Sequence, residues 1–222
     1  QKTSILATLS FFKHAVIENI YFEGIDKVTP QDINFGKQLE LILKPLSVGQ
    51  LSEDKITLGS FPAFVKEKSL LASIENESNA VLMNAENVGE TMYAGPGAGA
   101  KPTSNSVLSD IIDIATGKIF DYQKFVESPL ASSFENFSCD HYLRFIVSDE
   151  PGVVAKISTV LAANNLSIDN LIQNELDRED DAIPLVIVIS NSKEKIMQNT
   201  ISDLQKLPEV KNSISHIRIL DI

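Results

Sequence analysis

Residues 140 to 222 constrain the fold more than any other stretch, because their hydrophobic period switches between two and 3.6 in a fixed order. Leu143, Phe145 and Val147 alternate over residues 141 to 148, as in a strand. Asp149-Glu150-Pro151-Gly152 then supplies turn chemistry. Val153, Ile157, Val160 and Leu161 recur at helical spacing, and the helix is expected to end near Asn164-Asn165. A strand over 166 to 173, an acidic turn over 177 to 181 and a strongly apolar strand over 183 to 190 follow. Ile196, Met197, Thr200, Ile201 and Leu204 predict a second helix, and a last strand ends near Ile219. The order is βαββαβ, a split βαβ unit.

The preceding residues read differently. Lys2, Ile5, Leu6, Leu9 and Phe12 predict one stripe of a helix over residues 2 to 13, and residues 16 to 22 read as a strand. Thr29-Pro30-Gln31-Asp32 is a helix start: Thr29 caps, Pro30 suits the first position and Asp32 reaches back. That helix is expected to reach about Leu43, with Phe35, Leu39 and Ile42 inward and Pro45 ending it. Short β-like runs follow at 56 to 58, 63 to 65, 70 to 74, 80 to 83 and 90 to 93. After Gly95-Pro96-Gly97-Ala98-Gly99 comes a helix over 103 to 115, with Val107, Ile111 and Ile114 inward and Gly117 closing it. Phenylalanines 120, 125, 134 and 137 argue against full disorder in the aperiodic stretch 118 to 139. The expected class is α+β: a mixed-sheet domain over 1 to 117, a linker or ordered wrap over 118 to 139, and a ferredoxin-like βαββαβ domain over 140 to 222.

Composition excludes some functions. Thirty acidic against nineteen basic residues give a formal charge of −11, which argues against nucleic-acid binding. One cysteine, Cys139, rules out an intramolecular disulfide within this chain and suits a reducing cytoplasm. Cys139-Asp140-His141 hints at a nucleophile, but the alternation that follows favours a strand. No apolar run reaches the roughly 18 residues of a membrane span, so no membrane partner is expected. His14, His141 and His216 lack metal-ligand spacing, so no metal is expected. The first residues, Gln1-Lys2-Thr3-Ser4, run straight into the helical pattern without an initiator Met, which reads as a piece of a longer chain.

Tyr142-Leu143-Arg144-Phe145-Ile146-Val147-Ser148-Asp149-Glu150-Pro151-Gly152-Val153 resembles the opening of an ACT domain, and Asn170-Leu171-Ile172-Gln173 resembles its second strand. The resemblance covers about residues 140 to 221. It implies pairing between copies and a small amino acid bound near this turn. Gly152 permits close backbone approach, and the helix after it offers free N–H groups and a positive dipole end to a carboxylate. Taken alone, Pro151-Gly152 is equally well a plain strand-to-helix turn.

Val88-Gly89-Glu90-Thr91-Met92-Tyr93-Ala94-Gly95-Pro96-Gly97-Ala98-Gly99-Ala100-Lys101-Pro102-Thr103, then Ser106-Val107 and Asp110, is similar to the homoserine dehydrogenase family. Ala94 and Pro96 stand where the family often has Gly and Arg. Tyr21-Phe22-Glu23-Gly24-Ile25 with Thr29-Pro30-Gln31-Asp32-Ile33 resembles a second family run, and Gln1-Lys2 with Ile5-Leu6-Ala7 the end of a third. The resemblance covers residues 1 to 117. It implies interconversion of L-homoserine and L-aspartate semialdehyde with NAD(P), in threonine, methionine and isoleucine biosynthesis.

The resemblance makes Lys2 the catalytic lysine, a cationic donor able to protonate the oxygen that gains charge. On residue type alone a solvated lysine at a helix end is the safer reading, and the stripe it shares with Ile5, Leu6 and Leu9 weighs against that. Gly97 and Gly99 are implied to approach the cofactor. The turn itself is not a dinucleotide fingerprint, since no βαβ unit surrounds it. The family's nucleotide-binding unit and partner carboxylates do not occur in this sequence, so no cofactor is expected on these residues alone. Asp149, Gly152 and Gln173 are the expected effector residues, with L-threonine as effector. A homodimer is expected from an exposed sheet and an unpaired strand edge. A non-catalytic amino-acid-binding and dimerisation module is the competing reading.

Overall fold

The computed structural model of the chain describes residues 1–52, 55–118, 133–173 and 182–222. Helix α1 (Lys2–Phe11) is followed by a short 3-10 turn and a two-residue strand, β1 (Tyr21–Phe22). Helix α2 (Pro30–Gln38) opens with the expected capping box: Thr29 accepts from the Asp32 N–H, and Asp32 accepts from the Thr29 N–H. Long strands β2 (Leu41–Ser52) and β3 (Lys55–Lys66) pair antiparallel along their whole length. Strands β4 (Ser78–Ala85) and β5 (Gly89–Pro96) form a separate two-stranded sheet, and helix α3 (Ala100–Ala115) follows it.

The second unit runs β6 (Ser138–Ser148), α4 (Val153–Ala163), β7 (Ile168–Gln173), β8 (Ala182–Lys193), α5 (Glu194–Leu204) and β9 (Ser215–Leu220). This is the predicted βαββαβ order. Its strands lie β9-β6-β8-β7, with β6 central as in a ferredoxin-like sheet. The acidic turn at 177 to 181 and Phe120 and Phe125 lie outside the described residues.

The two units share one sheet. Strand β9 pairs in parallel with β3, Ala63 opposite Arg218 and Val65 opposite Leu220. One edge of the βαββαβ sheet is therefore joined to the first domain, while among the described residues β7 ends the sheet on the other side. Both faces of the βαββαβ sheet are also covered. Leu143, Phe145 and Val147 pack with Val153, Ile157 and Leu161 of α4 and Met197 and Leu204 of α5. On the opposite face Tyr142, Val186, Val188, Ile217 and Ile219 pack with Phe35 of α2 and Phe64 of β3. Gly36 lets the Phe64 ring lie against α2, because a Cβ there would overlap it. Phe134 and Phe137 are buried against Phe61, so the end of the stretch read as a linker is packed against the first domain.

Several expectations are corrected. Helix α2 stops at Gln38: Leu39 caps it, and Glu40 takes a left-handed φ of 57°. Ile42 therefore belongs to β2. Pro45 does not end a helix but sits inside β2, opposite Pro62 of β3. Both are tolerated because, on the side away from their mutual pairing, no ladder is interrupted. Among the described residues β2 pairs on one side only, and Pro62 falls between the β1 pairing at Gly59–Ser60 and the β9 pairing at Ala63–Val65. The runs at 56 to 58 and 63 to 65 are one strand, and residues 70 to 73 form a 3-10 turn instead of a strand. The apolar stripe of α1 faces out, with Ile5 60% exposed, and Phe12, which caps the helix, is 71% exposed. Ala7 and Phe11 pack against Ile56 and Leu58, and Thr8 is buried beside them. Val107, Ile111 and Ile114 of α3 are likewise exposed. A periodic pattern reports which face is apolar and is silent on whether this chain supplies the cover.

Candidate active and effector sites

Lys2 is the first residue of α1 and is exposed. The helix carrying it is fixed at its start. Thr3 Oγ1 donates to Ser47 Oγ of β2 at 2.9 Å, and Ser47 Oγ donates to Ser60 Oγ of β3 at 3.2 Å. Ser4 Oγ donates to the Ala15 carbonyl at 2.5 Å, and the Ala15 N–H donates to Thr8 Oγ1 at 3.1 Å. A flexible cation thus stands on a helix end held to the sheet by hydroxyls.

Gly97 and Gly99 lie on a different element, where β5 passes into α3, and both are exposed. Gly99 has a φ of 114°, a conformation that a residue with Cβ rarely adopts. It precedes α3 without a side-chain cap, so the first N–H groups of that helix are presented beside bare backbone. These features suit an anionic or polar group of a dinucleotide. Phe22, Glu23, Ile25, Pro45 and Pro62 line a separate cleft that includes none of the expected site residues.

Asp149 and Gly152 occupy the turn between β6 and α4, and Gln173 ends β7. All three are exposed. Strand register puts them at one end of the sheet: Gln173 opposes Leu185, and Ser148 opposes Ala182 three residues away on β8. Gly152 takes φ 92° at the N-cap of α4, and nothing stands within 4 Å of where a Cβ would project. No side chain caps that helix, and its Val153 N–H bonds the Glu150 carbonyl at 3.4 Å.

Two charged groups missed by the sequence reading join the units. Asp32, fully buried, accepts from Arg144 Nε at 2.7 Å and Nη2 at 3.1 Å, and from the Tyr142 hydroxyl at 3.2 Å. Burial works to raise its carboxyl, but the bonds from Arg144 and Thr29 outweigh this and hold it below the usual carboxylate range. Arg218, also fully buried, donates to Glu194 of α5 and to Glu23 and Tyr21 of the first domain. Its guanidinium lies over the rings of Tyr21, Phe61 and Phe134.

Beside it, strand pairing gathers two histidines that the spacing left apart. His141 and His216 hydrogen-bond through Nδ1 and Nε2 at 2.9 Å, and Glu194 completes a group of three possible metal ligands. Glu194 is already committed to Arg218 and Gln198, so the group reads as a polar cluster. His141 Nε2 lies 3.2 Å from the Ser192 carbonyl. Burial lowers both histidines, and the neighbouring His141 and Arg218 lower His216 further. Burial, with Glu194 nearby, pushes the Cys139 thiol up to about 12, which leaves it protonated and a poor nucleophile.

The family model for homoserine dehydrogenase matches residues 1–112, and that for the ACT domain matches residues 141–209. Relatives named homoserine dehydrogenase include one from Helicobacter pylori, 34% identical over 98% of this chain and 52% of its own length. One from Bacillus subtilis is 33% identical over 96% of this chain and 51% of its own. The crystal structure of a homoserine dehydrogenase from Thiobacillus denitrificans superposes with a TM-score of 0.89 at 28% identity, over 99% of this chain and 52% of that one. The chain thus spans about half the length of the relatives it matches. With the long motif run leading into α3, the capping box of α2 and the βαββαβ unit all in place, the chain belongs to the homoserine dehydrogenase family and carries an ACT domain.

Proposed function

We propose that the whole protein interconverts L-aspartate 4-semialdehyde and L-homoserine with NAD(P), and that its ACT domain makes the step responsive to L-threonine. The observation that carries this reading is the family match over residues 1–112, a range that includes Lys2 and the Gly97–Gly99 turn. NAD(P), when bound, supplies or accepts the hydride. Lys2 acts at the carbonyl oxygen of the semialdehyde, donating a proton as that oxygen gains charge and taking it back in the oxidative direction. Gly97 and Gly99 keep side chains away from the cofactor. The outward stripe of α3 packs on the nucleotide-binding part of the longer protein, which supplies the missing carboxylates. The domain boundaries follow the motifs: catalytic over 1–117, connecting over 118–139, regulatory over 140–222.

In the regulatory domain the N-terminus of α4 holds the effector carboxylate, while Asp149 and Gln173 contact its polar groups. The protein works as a cytoplasmic homodimer. Strands β2 and β7 each pair on one side only among the described residues, and such edges template association. In the full-length enzyme, Lys2→Ala is expected to lower turnover by about two to four orders of magnitude, the scale of a general acid–base group. A loss confined to KM would move Lys2 from chemistry to binding. The competing reading is an amino-acid-binding and dimerisation module, and a dehydrogenase assay of this chain with NAD and NADP discriminates the two.

A further inference from the structure

We propose that Arg144 is the clasp through which the ACT domain controls the catalytic domain: it completes the N-cap of α2 when engaged, and effector binding at the Ser148 end of β6 releases it. This inference rests on the regulatory reading above and adds the element that is switched.

The grip is made by all three guanidinium nitrogens. Nε and Nη2 reach the two oxygens of Asp32, Nη2 also reaches Thr29 Oγ1 at 3.0 Å, and Nη1 reaches Gln31 Oε1 at 3.2 Å. Thr29, Gln31 and Asp32 are the cap and first turn of α2. Asp32 already bonds the Thr29 N–H and hydroxyl, so one buried carboxylate serves both the helix start and the other domain. A lysine would supply the charge without the planar fork.

Three features make this contact a switch. First, β6 is regular from His141 to Ser148, and Ser148 is the last residue before the effector turn. Four residues of strand, about 13 Å, separate Arg144 from that turn. Second, the pair is buried, with the Arg144 side chain 9% exposed and that of Asp32 0%. A partly broken buried ion pair is costly, so the contact is made or open, with little between. Third, the other junction lies on the opposite face of the sheet, where Arg218 and the β3–β9 pairing can stay closed and serve as the pivot.

Helix α2 then carries the change onward. It runs through Leu39 and Glu40 directly into β2, the strand whose Ser47 holds Thr3 beside Lys2. Coupling of this kind needs an element with two arrangements that both sites bias. The cap of α2 is that element.

The test uses the full-length enzyme, wild type and Arg144→Lys, with L-threonine as probe. Wild-type activity is expected to fall at saturating threonine by a factor within the usual allosteric range of about 5–150-fold. In R144K that factor should collapse toward one because basal kcat already falls toward the threonine-inhibited level, while calorimetry still shows threonine binding at least as tightly as in the wild type. Hydrogen exchange on the wild type gives a second readout, because threonine should speed exchange in the α2 amides. Inhibition in R144K equal to wild type, or α2 exchange indifferent to an inhibiting dose of threonine, overturns the clasp and leaves the regulatory reading standing. No heat and no inhibition in the wild type overturns both. Should R144K not fold, the exchange result on the wild type decides.

Discussion

Arg218 on β9 donates to Glu194 of its own domain and, at 2.8 Å, to Glu23 of the first, so one buried guanidinium is completed by carboxylates from both. Removing it leaves Glu194 buried without its cation. Arg218→Ala is expected to destabilise the chain by about 3–5 kcal/mol, the cost of breaking a buried pair from one side. Arg218→Ala with Glu194→Gln should recover part of that loss. Urea titration followed by tryptophan-free probes such as far-UV circular dichroism checks both, and a single-variant loss under about 1 kcal/mol would falsify the assignment.

Phe35 closes the face of the ACT sheet away from α4 and α5 and is 2% exposed. Phe35→Ala is expected to cost about 3–5 kcal/mol, the range for a buried aromatic. The same geometry predicts that residues 138–222 alone expose Val186, Val188, Ile217 and Ile219 as one apolar face. Such a fragment should bind an apolar dye or self-associate. A monomeric, dye-silent fragment in light scattering contradicts this.

Acid should weaken the fold in two stages. His141 and His216 are lowered in the folded state, so below their unfolded value of about 6.5 only the unfolded chain takes up those protons. The stability they contribute by staying neutral is complete above that pH and is lost progressively below it. Asp32 is lowered as well, so its contribution holds above the ordinary Asp value of about 3.9 and is lost as pH falls through the folded value. Urea midpoints should drop between pH 7 and 5, and less so in His216→Gln. Equal pH slopes in variant and wild type would remove the histidine pair from this account.

Cys139 is buried and its thiol is pushed up to about 12, so it should resist alkylation at pH 8 in the native protein. In urea it should react at the rate of a free thiol. Intact mass after iodoacetamide decides, and rapid native labelling means that the β6 end of the sheet opens readily.

The sequence by itself determined the βαββαβ order, because each of those elements states its own period over residues that are neighbours in the chain. It also determined the capping box at Thr29 and Asp32, whose partners sit three positions apart. The candidate site residues came from motif runs, and the register of β6, β7 and β8 puts Asp149, Gly152 and Gln173 at one end of the sheet. What the chain could not state locally was partnership. Arg144 and Asp32 meet across 112 positions, Arg218 and Glu23 across 195, and His141 and His216 across 75. None of these residues carries a pattern that names the other. The same limit governs the stripes of α1 and α3, apolar and yet exposed, and Pro45, which reads as a helix stop but lies on a strand that pairs on one side only among the described residues. Only the tertiary structure decided that β9 extends the sheet of β3 and that α2 covers the ACT sheet. Burial and ion pairing depend on which surfaces meet, whereas hydrophobic period reports only which surface of an element is apolar.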